Sequence, residues 1–141
     1  MTHIDALLID HVGIAVQDLD DTIAAYRDQY ALTLESRHIV AAQGVEEAML
    51  RIGDGYVQLV SPLADDTTVA RFLQRRGEGL HHLAYRVAAI EPALEHLAAA
   101  GARLLDTTPR PGAAGTRIAF VHPGALAGTL IELVERPGPR A

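Results

Sequence analysis

Four polar side chains interrupt apolar, strand-like stretches of this 141-residue sequence at related positions. His11 lies in DHVGIAV and His82 lies in GLHHLAYRV, at matching places of an internal repeat whose offset is 71 residues (from 11 to 82). Gln58 and Glu132 are each the lone polar residue of a second matching pair, YVQLV and LIELV. Two imidazoles, an amide oxygen and a carboxylate suit a divalent ion such as Co²⁺, Mn²⁺, Fe²⁺, Ni²⁺ or Zn²⁺ with open coordination positions.

A structural interpretation of these residues competes with the metal site. A lone histidine on a strand is more often structural than a ligand, and a lone Gln or Glu usually marks a solvated edge. The structural interpretation would have to hold four times, at two pairs of equivalent positions, and this coincidence favours the metal. Because strand side chains alternate, His82 shares a face with the small Ala84, whereas His81 points to the opposite, packed face. We therefore predict that His82 is a ligand and that His81 is structural.

The elements that must position these residues form two similar series. Each half predicts a strand, a helix and three more strands, which gives an α+β fold of two tandem βαβββ modules. We expect one domain over residues 1–141, with modules at about 8–62 and 79–135. In the second module the last three strands are predicted near 102–106, 116–121 and 129–135. A linking helix is expected over 67–76, with Asp66 as its N-cap.

Composition narrows the classes of function. The formal net charge is −6 and all 12 basic residues are arginine, which argues against a nucleic-acid surface. No apolar run is long enough to cross a bilayer, and the N-terminus lacks the features of a secretory signal, so a cytoplasmic protein without membrane contact is expected. Cysteine is absent, which excludes disulfides and thiolate ligands.

One further stretch, QGVEEAML, carries adjacent carboxylates at the start of an apolar strand. Alternation places Glu46 and Glu47 on opposite faces, so one of them must point inward if the strand is regular. Alternation alone does not choose between them, and a solvated pair is the default interpretation without further context.

The motifs DHVGIAV, QGVEEAML, GLHHLAYRV, FVHP and LIEL together resemble the methylmalonyl-CoA epimerase family of the vicinal-oxygen-chelate superfamily, which includes glyoxalase I. The resemblance runs from about Ile9 to Glu135. It implies a glyoxalase-like fold, in which the two βαβββ modules form a curled mixed sheet around a metal cavity. It also implies His11, Gln58, His82 and Glu132 as metal ligands, and Glu47 as an acid/base. It also implies a homodimer and a divalent cofactor, with Co²⁺ or Mn²⁺ first and Zn²⁺, Ni²⁺ or Fe²⁺ as alternatives.

The implied enzyme is a racemase or epimerase that interconverts (2R)- and (2S)-methylmalonyl-CoA by 1,1-proton transfer through a metal-stabilised enolate. Glu47 and Glu132 would be the two bases, with Glu132 also a ligand. The CoA phosphates would pair with arginines, and the sequence does not choose among the candidates Arg37, Arg75, Arg76 and Arg117.

Three other functions stay open on the same fold. They are a glyoxalase-type lyase or isomerase, an epimerase acting on a related acyl-CoA, and a metal-free ligand-binding protein. An extradiol dioxygenase is disfavoured, because Gln58 would occupy a position needed for oxygen.

Overall fold

The computed structural model describes residues 3–125 and 127–138, which form eight strands and three α-helices. The strands are β1 Ala6–Ala15, β2 Leu34–Val40, β3 Val45–Ile52, β4 Gly55–Pro62, β5 Gly79–Val87, β6 Arg110–Pro111, β7 Arg117–Val121 and β8 Ile131–Glu135. The helices are α1 Leu19–Tyr30, α2 Thr68–Arg76 and α3 Ile90–Ala99.

The described residues divide into two compact units whose boundaries fall inside β1 and β5. The first unit is His11–His81, and the second unit comprises the described residues of 1–10 and 82–141. Each unit contains a strand, a helix and three further strands in chain order, so the predicted α+β, βαβββ pattern is confirmed.

In the first unit the strand order is β2-β3-β4-β1. Strands β1 and β4 run parallel, while β3 is antiparallel to both of its neighbours. Helix α1 begins after Asp18, whose carboxylate accepts the Asp21 N–H at 2.9 Å. One face of the sheet packs on α1 in an apolar core that includes Leu19, Leu50 and Leu59. The opposite face is therefore left for the polar side chains.

The second unit repeats this plan with the strand order β5-β8-β7-β6. Strands β5 and β8 are parallel, and β7 is antiparallel to β8 and β6. Helix α3 packs Ile90, Ala93 and Leu94 against Leu133 in one core cluster. A second cluster, of Ala84, Ile118 and Val134 with Phe120, covers the other side of the strands.

Two local predictions were wrong. Residues 102–106 form no strand, because Leu104 makes only one isolated bridge, to Val121. The Asp106 carboxylate accepts the Phe120 N–H at 2.9 Å in place of a backbone carbonyl, and the N–H groups of Leu105 and Asp106 both donate to the Phe120 carbonyl, so the pairing is too irregular for a ladder. The sheet instead ends at the two-residue β6.

The N-cap of α2 is Thr67 rather than Asp66. The Thr67 hydroxyl accepts the Ala70 N–H at 3.2 Å, whereas Asp66 contributes only its carbonyl, to Arg71. None of the described helices is long and apolar enough to cross a membrane.

Candidate functional site

Strands β1 and β4 place two of the predicted ligands on one face of the first unit. In the parallel register Gly13 lies beside Gln58, and His11 precedes Gly13 by two residues on the same face. Both polar side chains are buried. The small Gly13 between them leaves the space that the sequence pattern indicated.

Glu47 lies on the same face, on the neighbouring strand β3. Met49, two residues further along β3, pairs directly with Gln58. Glu47 is therefore the diagonal neighbour of Gln58 on the same face of the sheet. The Gln58 Nε2 donates a hydrogen bond of 2.9 Å to Glu47 Oε2, and only 7% of Glu47 is exposed. This amide donor stabilises a buried carboxylate that can accept a proton.

Glu46 points to the opposite face of β3, which resolves the ambiguity between the two adjacent carboxylates. It accepts from Arg37 Nε at 2.7 Å, and Arg37 also reaches Asp20 on α1. These carboxylates raise the pKa of the Arg37 guanidinium. Glu46 is thus held in an ion pair on the helix-covered side, while Glu47 occupies the polar side.

The amide of Gln58 is only half satisfied within the described residues. Its nitrogen is bound to Glu47, but its Oε1 is buried and has no hydrogen-bond partner there. A buried amide oxygen without a donor destabilises the folded state, so such an oxygen usually binds an ion or a ligand. An oxygen in this state is suited to coordinate a cation.

The second unit contains the other two predicted ligands in contact. His82 Nε2 lies 3.1 Å from Glu132 Oε1, and both side chains are buried. The Phe120 ring meets the His82 imidazole edge-on, with ring centres 5.8 Å apart. An imidazole and a carboxylate held together in apolar surroundings are typical of ligands for a first-row divalent ion.

The two units use the same register to place these pairs. Gly13, two residues after His11, lies beside Gln58, and Ala84, two residues after His82, lies beside Glu132. Each unit therefore offers one imidazole and one oxygen donor at equivalent positions of its sheet. The donor set and the unsatisfied oxygen of Gln58 fit a divalent ion.

His81 behaves as the strand parity predicted. Its ring packs edge-on against Phe72 of α2, with centres 4.9 Å apart. It therefore contributes to packing on the face opposite to that of His82.

Comparison with known proteins agrees with this arrangement. Residues 10–120 match the profile of the glyoxalase/bleomycin resistance protein/dioxygenase superfamily. The chain belongs to this superfamily. The ethylmalonyl-CoA/methylmalonyl-CoA epimerase of Cereibacter sphaeroides is 33% identical over 127 residues, covering 89% of this chain and 95% of that protein.

Two solved structures show the same fold. A variant of Streptomyces coelicolor methylmalonyl-CoA epimerase in complex with 2-nitronate-propionyl-CoA matches with a TM-score of 0.93 and 37% identity, covering 96% of this chain and 99% of that one. The enzyme of Mycobacterium tuberculosis matches with a TM-score of 0.92 and 39% identity, covering 98% and 93%. The glyoxalase-like fold class and the resemblance to the epimerase family are confirmed, and the family is one of isomerases.

The sequence patterns did not identify two residues that lie next to the proposed site residues. His38 on β2 lies directly across from Glu47, and Phe120 on β7 lies across from Glu132. Both follow from strand pairing, which alternation within one strand does not supply. The FVHP motif contains Phe120, so its alternation would have been the available signal.

The four candidate phosphate arginines differ in their surroundings. Arg37 is bound by Glu46 and Asp20, and Arg117 is bound by Glu91 and Glu135.

Arg75 and Arg76 are exposed in the last turn of α2, and no carboxylate among the described residues pairs with either. Among these four candidates, the two α2 arginines are therefore the ones whose guanidinium groups have no carboxylate partner within the described residues and could bind an anion.

Proposed function

We propose that the protein interconverts the 2R and 2S forms of methylmalonyl-CoA. The observation that carries this proposal is the buried Glu47, which accepts a hydrogen bond from Gln58 on the same face as His11. The family relationship supports the acyl-CoA substrate, because the relatives named above are epimerases of methylmalonyl-CoA or of ethylmalonyl-CoA and methylmalonyl-CoA.

His11, Gln58, His82 and Glu132 would hold one divalent ion, with Co²⁺ or Mn²⁺ first. These four ligands carry at most one negative charge, that of Glu132 when it is ionised, so a bound divalent ion would leave a net positive site for an anionic substrate. A bound ion of this kind supplies Lewis-acid stabilisation to the oxygen atoms of the substrate.

Glu47 takes the proton from C2 of the thioester in this proposal, leaving an enolate. Its buried position excludes water from the carboxylate and keeps the proton close to the reacting carbon. Glu132 is the second acid/base: it starts protonated in this direction of the reaction and gives its proton to the opposite face of C2, and the two carboxylates exchange protonation states over one turnover. Inversion follows because the two carboxylates act from different sides of the planar enolate.

The decisive experiment follows a single enantiomer of methylmalonyl-CoA in D₂O by NMR. We expect deuterium to enter at C2 together with inversion, and we expect one divalent ion per chain in protein purified without chelator. Absence of both exchange and inversion in the metal-loaded protein would refute the epimerase proposal. Exchange with complete retention would instead indicate a single base and would refute the role of Glu132.

A glyoxalase-type lyase is the second candidate, because its chelate chemistry would use the same four ligands. Glu47 argues against it, since that chemistry does not need a carboxylate in the QGV context. Incubation with a glutathione hemithioacetal distinguishes the two, and we expect no turnover.

We propose in addition that the chain forms a homodimer in the cytoplasm, and light scattering of the purified protein tests the dimer.

A further inference from the structure

Arg110 lies on the same face of the second unit as the His82–Glu132 pair. On β6 it pairs with Ile118, and on β7 Phe120 pairs with Glu132, so strand register puts these side chains on one surface. Ile118, Val134 and Phe120 belong to one apolar cluster on this face. A cation on this face is therefore close to the proposed ligands without being one of them.

Aromatic contacts join the guanidinium to the imidazole. The Arg110 Cζ lies 5.7 Å from the centre of the Phe120 ring, and the same ring lies 5.8 Å from the centre of His82. A guanidinium within about 6 Å of an aromatic ring centre is attracted by the negative face of the ring. Phe120 thus contacts both Arg110 and the His82 imidazole.

The charge of Arg110 is only partly compensated. Its Nε is buried and lies 3.2 Å from Asp106 Oδ1, yet it makes no hydrogen bond within the described residues. The other oxygen of Asp106 is taken by the Phe120 N–H at 2.9 Å. One Asp106 oxygen thus faces the buried Nε and the other accepts from the backbone, whereas the two terminal nitrogens of Arg110 make no hydrogen bond within the described residues and can donate to another acceptor.

Other arginines of the second unit show the contrast. Arg86 and Arg136 share the buried carboxylate of Asp10, and Arg117 is bound by both Glu91 and Glu135. Those guanidinium groups are structural. Arg110 combines a place on the polar face with terminal guanidinium donors that no hydrogen bond among the described residues uses.

We propose that Arg110 binds an oxyanion of the acyl-CoA substrate. The oxyanion is the carboxylate of the acyl group or a phosphate of CoA, since a guanidinium fork recognises both. This inference rests on the proposed function, because that function supplies the acyl-CoA. It adds a specificity-determining contact that lies outside the proposed metal and proton-transfer residues.

Calorimetric titration of the full-length, Co²⁺-supplied protein tests this contact without turnover. Malonyl-CoA and propionyl-CoA are the probes, because they differ by the acyl carboxylate and share CoA. The variants are Arg110→Met, which removes the charge, and Arg110→Lys, which keeps the charge and loses the fork. Arg103→Met is the matched control, since Arg103 is an exposed arginine of the same unit without a carboxylate partner among the described residues.

We expect Arg110→Met to weaken malonyl-CoA binding by about tenfold or more, and Arg103→Met to leave it within about twofold. An unchanged propionyl-CoA affinity in Arg110→Met would identify the acyl carboxylate, and an equal loss with both probes would identify a CoA phosphate. Arg110→Lys should lie between the wild type and Arg110→Met, and it provides the test if the methionine variant does not fold.

Wild-type affinity for both probes in Arg110→Met, or no acyl-CoA binding by the wild type, would overturn the proposal. A wild type that binds malonyl-CoA through Arg110 but does not invert methylmalonyl-CoA would refute the epimerase proposal alone.

Discussion

Replacing Glu47 by glutamine tests the proposed base with little disturbance of the surrounding structure. The new amide oxygen can still accept the Gln58 Nε2 hydrogen bond now found at 2.9 Å. The bond changes from charge-assisted to neutral, which costs about 1 kcal/mol, and removal of a buried charge offsets part of that cost. The free energy of unfolding should therefore change by no more than about 1 kcal/mol.

Activity should respond far more strongly than stability. Loss of a positioned general base lowers the rate by about 10²–10⁴-fold, which corresponds to about 3–5 kcal/mol in the activation free energy. We expect Glu47→Gln to lose deuterium exchange at C2 from the enantiomer whose proton faces Glu47. Metal content should stay at the wild-type level, because Glu47 is not a proposed ligand.

The adjacent carboxylate provides the matched control. Glu46→Gln removes the same charge one residue away, but on the opposite face of β3, where Glu46 pairs with Arg37. Such a partly exposed pair contributes about 0–1 kcal/mol to stability, and turnover should be unchanged. Turnover of Glu47→Gln within about threefold of the wild type would refute our assignment of the base. An equal loss in both variants would show that net charge, rather than position, matters.

Three further predictions concern the metal, a buried ion cluster and acid stability. Gln58→Leu should lower the number of divalent ions bound per chain, measured by elemental analysis. A chelator should then lower the thermal midpoint of the wild type more than that of the variant. Equal metal content in the two proteins would contradict the ligand role of Gln58. Asp10→Asn should cost about 3–5 kcal/mol in urea unfolding, because the fully buried carboxylate pairs with Arg86 and Arg136, whereas Asp20→Asn at the surface should cost under about 1 kcal/mol. Arg117 lowers the pKa of Glu91 below its ordinary value of 4.5, so this pair stabilises the fold above that pH and loses its contribution as pH falls. The difference in thermal midpoint between the wild type and Arg117→Met should shrink below about pH 4.5, and a difference independent of pH would contradict this reasoning.

Much of the fold was predictable because the repeat and strand alternation are local signals. His81 and His82 are adjacent, and strand alternation predicts that they lie on opposite faces. The structure agrees, because His81 contacts Phe72 and His82 contacts Glu132. The four polar positions could be found for the same reason. Each interrupts an apolar pattern at a place that the repeat duplicates.

The remaining features depend on pairing between distant strands, which local patterns do not encode. Alternation within β3 could not show whether Glu46 or Glu47 shares a face with Gln58, and the pairing of Met49 with Gln58 does show it. The expected strand at 102–106 failed because one side chain, Asp106, replaced a backbone acceptor. Strand propensity is read from nearby residues, so it does not reveal that a side chain will replace a backbone carbonyl as the acceptor.

The same pairing explains why the duplicated modules can perform a reaction that is not symmetrical. In β3 the residue two before Met49, the partner of Gln58, is Glu47; in β7 the residue two before Phe120, the partner of Glu132, is Ile118. Duplication thus repeats the proposed ligands but provides the extra carboxylate only once. An epimerase needs two acid/base groups on opposite faces of one carbon. In the proposed reaction the second group would come from the ligand positions themselves, where Glu132 offers a carboxylate and Gln58 offers none.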